Sequence, residues 1–180
     1  MGEHPQTRHG PPRKREAMHF GCYYSYSGTY HEARPYPPVL AAVRDILRRT
    51  VYHEIAEQNF VIGSLVQHYV DGSVGIGKHS DDETGLVPNA PIVTVTLIKA
   101  DRPSGLPYRV FCVRRKRARA PVDPVAFEAH LGHGDVFVMG GEFQKKFKHE
   151  ISPTAEESRP RVSLTFRAHL STRGSEGDEQ

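Results

Sequence analysis

Six short segments with strand character constrain the fold of this chain more than any other feature. Each alternates apolar and polar residues or is rich in β-branched side chains, as β-strands are. The segments run from Phe60 to Tyr69, Ile92 to Lys99, Tyr108 to Arg114, Asp135 to Met139, Lys145 to Ile151 and Val162 to His169. Turn-forming residues separate them, as in Asp101 to Gly105. Many short strands with few helices favour a double-sheet jelly roll, although a sandwich or another barrel stays open.

One segment follows a helical pattern instead. Leu40, Val43 and Leu47 recur at helical spacing just after the pair Pro37-Pro38. Residues at this spacing share one face of an amphipathic helix, and a proline at the first helical position suits its start. We expect this helix to pack against the outside of the sheet.

The composition of the chain excludes several classes of protein. With 180 residues, the chain is long enough for one domain with its own core, and 25% charged residues are typical of globular proteins. No apolar run is long enough to cross a bilayer, so we expect an intracellular protein, in the nucleus or the cytoplasm, that does not bind membranes. Two cysteines, Cys22 and Cys112, are too few for a disulfide framework or a zinc cluster.

The two ends of the sequence differ in composition from its centre. Residues 1–11 are polar and lack periodicity, and residues 170–180 are rich in Ser, Thr, Gly and acidic side chains. We therefore expect a flexible lead over 1–11, a single folded domain over 12–169 and a disordered tail over 170–180. We also expect the chain to be a monomer.

A histidine and an aspartate follow the first strand segment, beyond a connection punctuated by glycines. Side chains at i and i+2 of an extended segment point to the same face, so His79 and Asp81 can bind one metal ion together. The pair alone is weak, because a chain rich in His and Asp produces such a pair by chance. His149 supplies a possible third ligand far downstream. Two histidines and one carboxylate form the facial triad of non-heme Fe(II) oxygenases.

A series of short matches resembles a known family. In chain order the matching segments are Pro12 to Lys14, Phe20-Gly21, Tyr24 to Gly28, Tyr69 to Glu83, Pro91 to Val93, Met139, His149 and Pro160 to Arg167. Together they resemble the AlkB-type 2-oxoglutarate/Fe(II) dioxygenases, which dealkylate nucleic acids, and above all the branch that repairs double-stranded DNA. The resemblance covers roughly residues 12 to 168. It selects a mainly β fold, the double-stranded β-helix (jelly roll), with one or two flanking helices.

The resemblance implies that Fe(II), 2-oxoglutarate and O2 meet in one site, with His79, Asp81 and His149 holding the iron. Four further residues are implied to bind the cosubstrate: Gln67, Tyr69, Arg161 and Arg167. Arg161 would pair with the distal carboxylate, to which a bidentate guanidinium is suited, and Arg167 would support the end near the iron. Tyr69 would donate a hydrogen bond. Gln67 departs from the family, which usually has the shorter Asn at this position.

The resemblance also implies residues that contact the nucleic acid. Tyr26 stands where the family places an aromatic ring that stacks on the extruded base, and Glu83 stands where relatives place an acid at the exocyclic amine. Four basic residues would reach the DNA phosphates: Arg114, Arg115, Lys116 and Arg117. Judged by residue type alone, Tyr26 could equally fill the core, and the charged residues could form a solvated surface.

The reaction implied by the resemblance is oxidative demethylation. An N-methyl group on 1-methyladenine or 3-methylcytosine would be oxidised while 2-oxoglutarate is decarboxylated, and the methyl carbon would leave as formaldehyde. DNA is favoured over RNA as the substrate. Three alternatives stay open: demethylation of RNA, hydroxylation of a protein or small molecule on the same core, and a non-catalytic binding module.

Overall fold

Eleven strands and two helices make up the part of the chain that the computed structural model describes, namely residues 15–26, 29–55, 59–98, 108–116, 123–154 and 160–171. The strands are β1 (Arg15–Phe20), β2 (Tyr24–Tyr26), β3 (Thr29–His31), β4 (Phe60–Tyr69), β5 (Ile76–His79), β6 (Ile92–Ile98), β7 (Val110–Arg115), β8 (Val125–His130), β9 (Val136–Met139), β10 (Phe147–Ile151) and β11 (Arg161–Leu170). The helices are α1 (Pro38–Thr50) and α2 (Phe143–Lys146).

Two antiparallel sheets enclose the interior. The larger sheet has the order β1-β4-β11-β6-β9, and the smaller sheet has the order β5-β10-β7-β8. Side chains from both sheets pack into one core cluster, in which Tyr69 and Ile92 of the larger sheet meet Phe111 and Ile151 of the smaller one. The strands β2 and β3 form a separate hairpin. This architecture confirms the expected mainly β jelly roll with flanking helices.

The central strand β11 is buried on both faces, and its faces differ in chemistry. Leu164, Phe166 and Ala168 face the apolar cluster that includes α1, whereas Arg161 and Arg167 point to the opposite side with the small polar residues between them. Polar side chains on an inner face exclude an ordinary apolar core there. They therefore line a cavity between the sheets.

Helix α1 covers the outer face of the larger sheet, as its spacing predicts. Leu40 and Leu47 are buried in the same cluster as Phe166, and Val43 packs against that cluster. Just beyond the helix, the hydroxyl of Tyr52 donates to the backbone carbonyl of Phe166 at 2.9 Å. The helix thus fixes the strand that carries both arginines.

Several predicted bounds differ from the structure. The strand predicted from Lys145 begins only at Phe147, because Lys145 and Lys146 belong to α2. Five strands lie outside the six predicted segments, namely β1, β2, β3, β5 and β8. In β8, Val125 and Phe127 are half exposed on an edge strand and give no inward-facing pattern. Residues 1–14, 99–107 and 172–180 lie outside the described part, so the flexible lead, the disordered tail and the domain bounds stay predictions. Among the described helices, none is long and apolar enough to cross a membrane.

Candidate active site

A cavity of about 320 Å³ lies between the two sheets. Eight of the residues predicted from the sequence line it: Gln67, Tyr69, His79, Asp81, Glu83, His149, Arg161 and Arg167. Strands of the larger sheet supply the arginines, the tyrosine and the amide, and strand β10 of the smaller sheet supplies one histidine. The fold therefore brings together residues that are far apart in the sequence.

Two histidines and an aspartate form the cavity's metal-ligand group. His79 ends β5 and is the cross-strand neighbour of His149 in β10, and Asp81 follows two positions after His79. One ligand atom from each residue lies within 4.8 Å of the other two. Nε2 of His79 is 3.5 Å from Oδ1 of Asp81. This spacing suits a single ion with protein ligands on one side only.

A backbone contact fixes the tautomer of His79. Its Nδ1 lies 2.8 Å from the carbonyl oxygen of Gly77, and a carbonyl can only accept. Nδ1 must therefore carry the proton and donate, which leaves the lone pair on Nε2. Nε2 is the nitrogen that faces Asp81, so this contact prepares His79 to bind a cation.

His149 is buried and stays uncharged at neutral pH. Desolvation lowers its pKa to about 4, and the opposing attraction of Asp81 does not overcome this effect. The imidazole stacks on Phe111 with ring centroids 5.3 Å apart and planes at 22°. Its Nδ1 is buried and has no hydrogen-bond partner within the described ranges. A neutral imidazole in such a group can offer a lone pair to a metal ion.

Asp81 is held in its ionised form. Burial alone would raise its pKa, but neighbouring positive charge, above all that of Arg167, holds the pKa below its ordinary value. Nη2 and Nε of Arg167 donate to Oδ2 of Asp81 at 2.9 and 3.2 Å. Since Oδ2 is occupied in this way, Oδ1 is the oxygen that faces His79. Arg167 therefore contacts the metal-ligand group directly.

Arg161 offers two hydrogen-bond donors inside the cavity wall. It is 2% exposed, and its Nη2 donates to Oγ1 of Thr96 at 3.0 Å. Nε and Nη1 are buried and have no partner in the portion of the chain that is described. Desolvation lowers the pKa of Arg161, as expected for a cation removed from water. Nη2 has a second N–H beside these donors, and two adjoining N–H groups of one guanidinium match the two oxygens of a carboxylate.

Gln67 and Tyr69 contact each other in this structure. The hydroxyl of Tyr69 donates to Oε1 of Gln67 at 3.2 Å. Their cross-strand neighbours in β11 are Ser163 and Arg161. The side chain of Gln67, which is longer than the Asn usual in the family, thus contacts the Tyr69 hydroxyl. A cosubstrate that accepts a hydrogen bond from Tyr69 would replace this contact.

The predicted nucleic-acid contacts are only partly described. Glu83 is half buried and lines the cavity. Tyr26 belongs to β2, but its side chain lies outside the part that is described, as does all of Arg117. Arg115 is exposed at the end of β7, with its guanidinium 5.4 Å from the ring centroid of Phe147.

Two of the four basic residues predicted to contact phosphates bind other groups of the protein. Arg114 lies in strand β7, and its Nε donates to the carboxylate of Glu150. Nζ of Lys116 donates to the carbonyl of Gln144 at 2.7 Å and lies 3.7 Å from Oδ2 of Asp82. Phosphate binding by Arg114 would have to compete with its buried carboxylate partner.

Three residues that support the site were not found from the sequence. Thr96 accepts from Arg161, Phe111 stacks on His149, and Gln144 accepts from the backbone N–H of Asp81 at 2.9 Å. The two threonines Thr94 and Thr96 inside a mostly apolar strand were the one available signal. The other two contacts join distant segments, and no local pattern marks them.

Comparisons with known proteins agree with this geometry. The sequence matches the profile of the 2OG-Fe(II) oxygenase superfamily over residues 1–167. The DNA oxidative demethylases ALKBH2 of Mus musculus and Homo sapiens are 33% and 32% identical to it, over 92% of the chain in both cases. The chain spans 65% and 59% of the length of these two relatives. Among solved structures, the Fe(II)/α-ketoglutarate-dependent dioxygenase TqaL superposes with a TM-score of 0.53 and is 12% identical in sequence. The match covers 92% of this chain and 70% of that chain, and it shows a likeness of fold alone.

Proposed function

Because the chain belongs to the 2OG-Fe(II) oxygenase superfamily, the Fe(II)/2-oxoglutarate-dependent dioxygenases, we propose that it removes methyl groups oxidatively from N-alkylated bases in DNA. One observation carries the proposal: the metal-ligand group and Arg161, which has two unpaired donors among the described residues, line the same cavity. The substrate class is supported by the likeness to the DNA oxidative demethylases ALKBH2 of mouse and human.

The residues present fit the cofactors of the superfamily. His79, Asp81 and His149 would hold Fe(II), since a neutral imidazole and an ionised carboxylate are the forms that bind a cation. Iron with 2-oxoglutarate and O2 supplies the oxidation of the methyl group while 2-oxoglutarate is decarboxylated. The unpaired ring nitrogen of His149 and the unpaired donors of Arg161 are the observations that support this fit.

The chain's own residues prepare the site before any substrate arrives. Arg167 keeps Asp81 ionised and holds its Oδ2, so the carboxylate does not have to be ordered or deprotonated on binding. Arg161 sits in a dry wall, where a charge-assisted bond to a carboxylate is stronger than in water. This wall would fix the far end of 2-oxoglutarate and so set the position of its other end.

The alkylated base would enter on the side of Glu83. Its carboxylate lines the same cavity as the metal-ligand group and is placed to accept from an exocyclic amine. Stacking on Tyr26 would hold the ring, and exposed Arg115 would contact the phosphates. 1-Methyladenine and 3-methylcytosine are the proposed lesions, because they pair weakly and flip at lower cost. Formaldehyde is the proposed product from the methyl carbon.

We further propose that the protein acts on DNA rather than RNA, as a monomer inside the cell, in the nucleus or the cytoplasm. The identity to the mouse and human DNA demethylases supports the first point. The test uses matched oligonucleotides that carry 1-methyladenine as single- or double-stranded DNA or RNA, incubated with Fe(II) and 2-oxoglutarate in air. Mass spectrometry reports methyl loss, and His79→Ala is the control.

We expect methyl loss that requires His79 and is fastest on DNA. Faster loss from RNA would move the assignment to an RNA demethylase. Consumption of 2-oxoglutarate without methyl loss from any strand would defeat the nucleic-acid assignment and favour hydroxylation of a protein or a small molecule.

A further inference from the structure

The segment that binds the metal leaves its strand between two of the ligands. Strand β5 ends at His79, and Asp81 follows in irregular backbone. A buried backbone N–H outside a sheet ladder needs another partner, because leaving it unpaired costs free energy. The N–H of Asp81 donates to the side-chain Oε1 of Gln144 at 2.9 Å. Gln144 therefore supplies the bond that a neighbouring strand would supply inside a sheet.

Gln144 is itself held on two other sides. It lies in α2, directly before the strand that carries His149. Its Nε2 donates to Sδ of Met139 at 3.5 Å, and its backbone carbonyl accepts from Nζ of Lys116 at 2.7 Å. The contact with Met139 orients the side-chain amide with Oε1 turned toward Asp81, and the contact with Lys116 holds the backbone of Gln144.

A second bond attaches the same segment to the start of β10. Oγ of Ser80 donates to the backbone carbonyl of Phe147 at 2.9 Å. The irregular segment after His79 is thus joined to α2 and β10 through side chains rather than through a ladder. The position of Asp81 relative to His149 consequently depends on these side-chain bonds.

Asp81 is restrained at its two ends by different residues. Arg167 binds Oδ2 of the carboxylate, and Gln144 binds the backbone N–H. With both contacts in place, Oδ1 lies 3.5 Å from Nε2 of His79. We propose that Gln144 is a positioning residue of the metal site, which holds the backbone of Asp81 so that Oδ1 faces the ion. This inference rests on the proposed function only in taking His79, Asp81 and His149 as metal ligands.

Co(II) binding to the metal-free protein tests this role without turnover, because the visible spectrum of Co(II) reports the number and arrangement of its ligands. Gln144→Met keeps the length of the side chain and removes the acceptor. We expect Co(II) affinity to fall by about 10- to 100-fold, as it does when a residue that orients a metal ligand is lost, with an altered spectrum. Gln144→Glu retains an oxygen acceptor and should restore Co(II) binding. Lys145→Met, an exposed neighbour in the same helix, should bind Co(II) like the wild type.

Gln144→Asn should disturb folding less than Gln144→Met does, because it keeps the amide. Its amide is one methylene shorter and cannot reach the N–H of Asp81, so it should also bind Co(II) more weakly. Wild-type Co(II) affinity and spectrum in folded Gln144→Asn would overturn the proposal, whether or not Gln144→Met folds. A lower melting temperature of the metal-free variants with unchanged Co(II) affinity would also overturn it, since Gln144 would then support only the fold.

Failure of the metal site itself has a different signature. If His79, Asp81 and His149 do not form a metal site, the wild type should bind no more Co(II) than His79→Ala does. That result would refute both the role of Gln144 and the proposed function. If instead His79→Ala abolishes Co(II) binding while both the Met and the Asn variant of Gln144 behave like the wild type, only the role of Gln144 is refuted.

Discussion

Replacing Arg161 with methionine should abolish tight binding of 2-oxoglutarate without destabilising the ligand-free protein. Arg161 is 2% exposed, and its Nε and Nη1 are buried without a hydrogen-bond partner among the described residues. Each of them adjoins Nη2, which carries two N–H groups and gives only one to Thr96. Nη2 together with an adjoining donor therefore has the geometry for two parallel bonds to one carboxylate. Among the described residues, Thr96 and the ring of Tyr69 offset part of the cost of this buried cation, and a bound anion would offset more of it.

The size of the binding effect follows from the burial of the arginine. Truncating one partner of a buried, hydrogen-bonded charge pair costs about 2–5 kcal/mol. Because about 1.4 kcal/mol corresponds to a factor of ten, Arg161→Met should raise the Kd for 2-oxoglutarate by about 30-fold to about 4,000-fold. Arg161→Lys keeps the charge but not the paired donors, so its Kd should lie between those of the wild type and Arg161→Met.

Folding should respond differently from binding. Each buried donor without a partner costs about 1–3 kcal/mol, and Arg161→Met removes two of them. It also removes the bond to Thr96 and the contact of the guanidinium with the ring of Tyr69, 5.3 Å from its centroid. These gains and losses are similar in size, so the free energy of unfolding of the ligand-free variant should stay within about 2 kcal/mol of the wild type.

Two measurements separate the effects. Titration calorimetry of 2-oxoglutarate into Mn(II)-loaded protein gives the Kd, and urea unfolding of the ligand-free protein gives the free energy of unfolding. An unchanged Kd in Arg161→Met would refute the reasoning. A loss of folding stability larger than the loss of binding energy would refute it as well, because the arginine would then serve the fold.

Three further predictions concern other parts of the molecule. Arg115→Ala should weaken DNA binding at low salt, because exposed Arg115 would contribute one phosphate contact. The slope of log affinity against log salt concentration should fall in magnitude by about 1. An unchanged slope would show that Arg115 does not contact a phosphate. Gly63→Ala should destabilise the fold by about 1–3 kcal/mol in thermal unfolding, because the new Cβ would overlap Sγ of Cys22 and lie 2.9 Å from Nε2 of His169. Adding Cys22→Ala should restore part of this loss, and no recovery would contradict the overlap. Burial and then Arg167 lower the pKa of His169 to about 4, so this residue binds more protons in the unfolded chain below about pH 6.5. From there toward pH 4, His169 alone should lower the free energy of unfolding by up to about 1.4 kcal/mol per pH unit. His169→Asn should reduce the slope of stability against pH in urea unfolding by this contribution, and an equal slope would contradict the prediction.

The sequence was most informative where a local pattern and a long-range role coincide. The predicted strand Phe60 to Tyr69 has the same first and last residues as β4. The predicted strand Val162 to His169 lies within β11, in which Arg161 and Arg167 share one face. Periodicity of two sets which side chains point inward, and the resemblance then identified what the inward polar residues do. The metal-ligand group was predicted for the same reason, although Asp81 lies beyond the end of its strand.

The pairing of side chains across distant segments could not be predicted in this way. The cluster of basic residues from Arg114 to Arg117 suggested that Arg114 contacts a phosphate. In the structure Arg114 binds Glu150 on the adjacent strand β10, and only the pairing of the two strands brings these side chains together. The same limit hid Gln144, whose contact with Asp81 joins two segments that share no motif. Edge strand β8 escaped because a strand with little buried surface carries little pattern.

The coupling of 2-oxoglutarate consumption to methyl loss tests the central claim most directly. The metal, the cosubstrate and the alkylated base are proposed to meet in one cavity lined by His79, Arg161 and Glu83. We therefore expect that duplex DNA carrying 1-methyladenine raises 2-oxoglutarate turnover, that one methyl group is lost for each 2-oxoglutarate consumed, and that His79→Ala abolishes both. Turnover that is indifferent to methylated DNA, with no methyl loss, would contradict the claim.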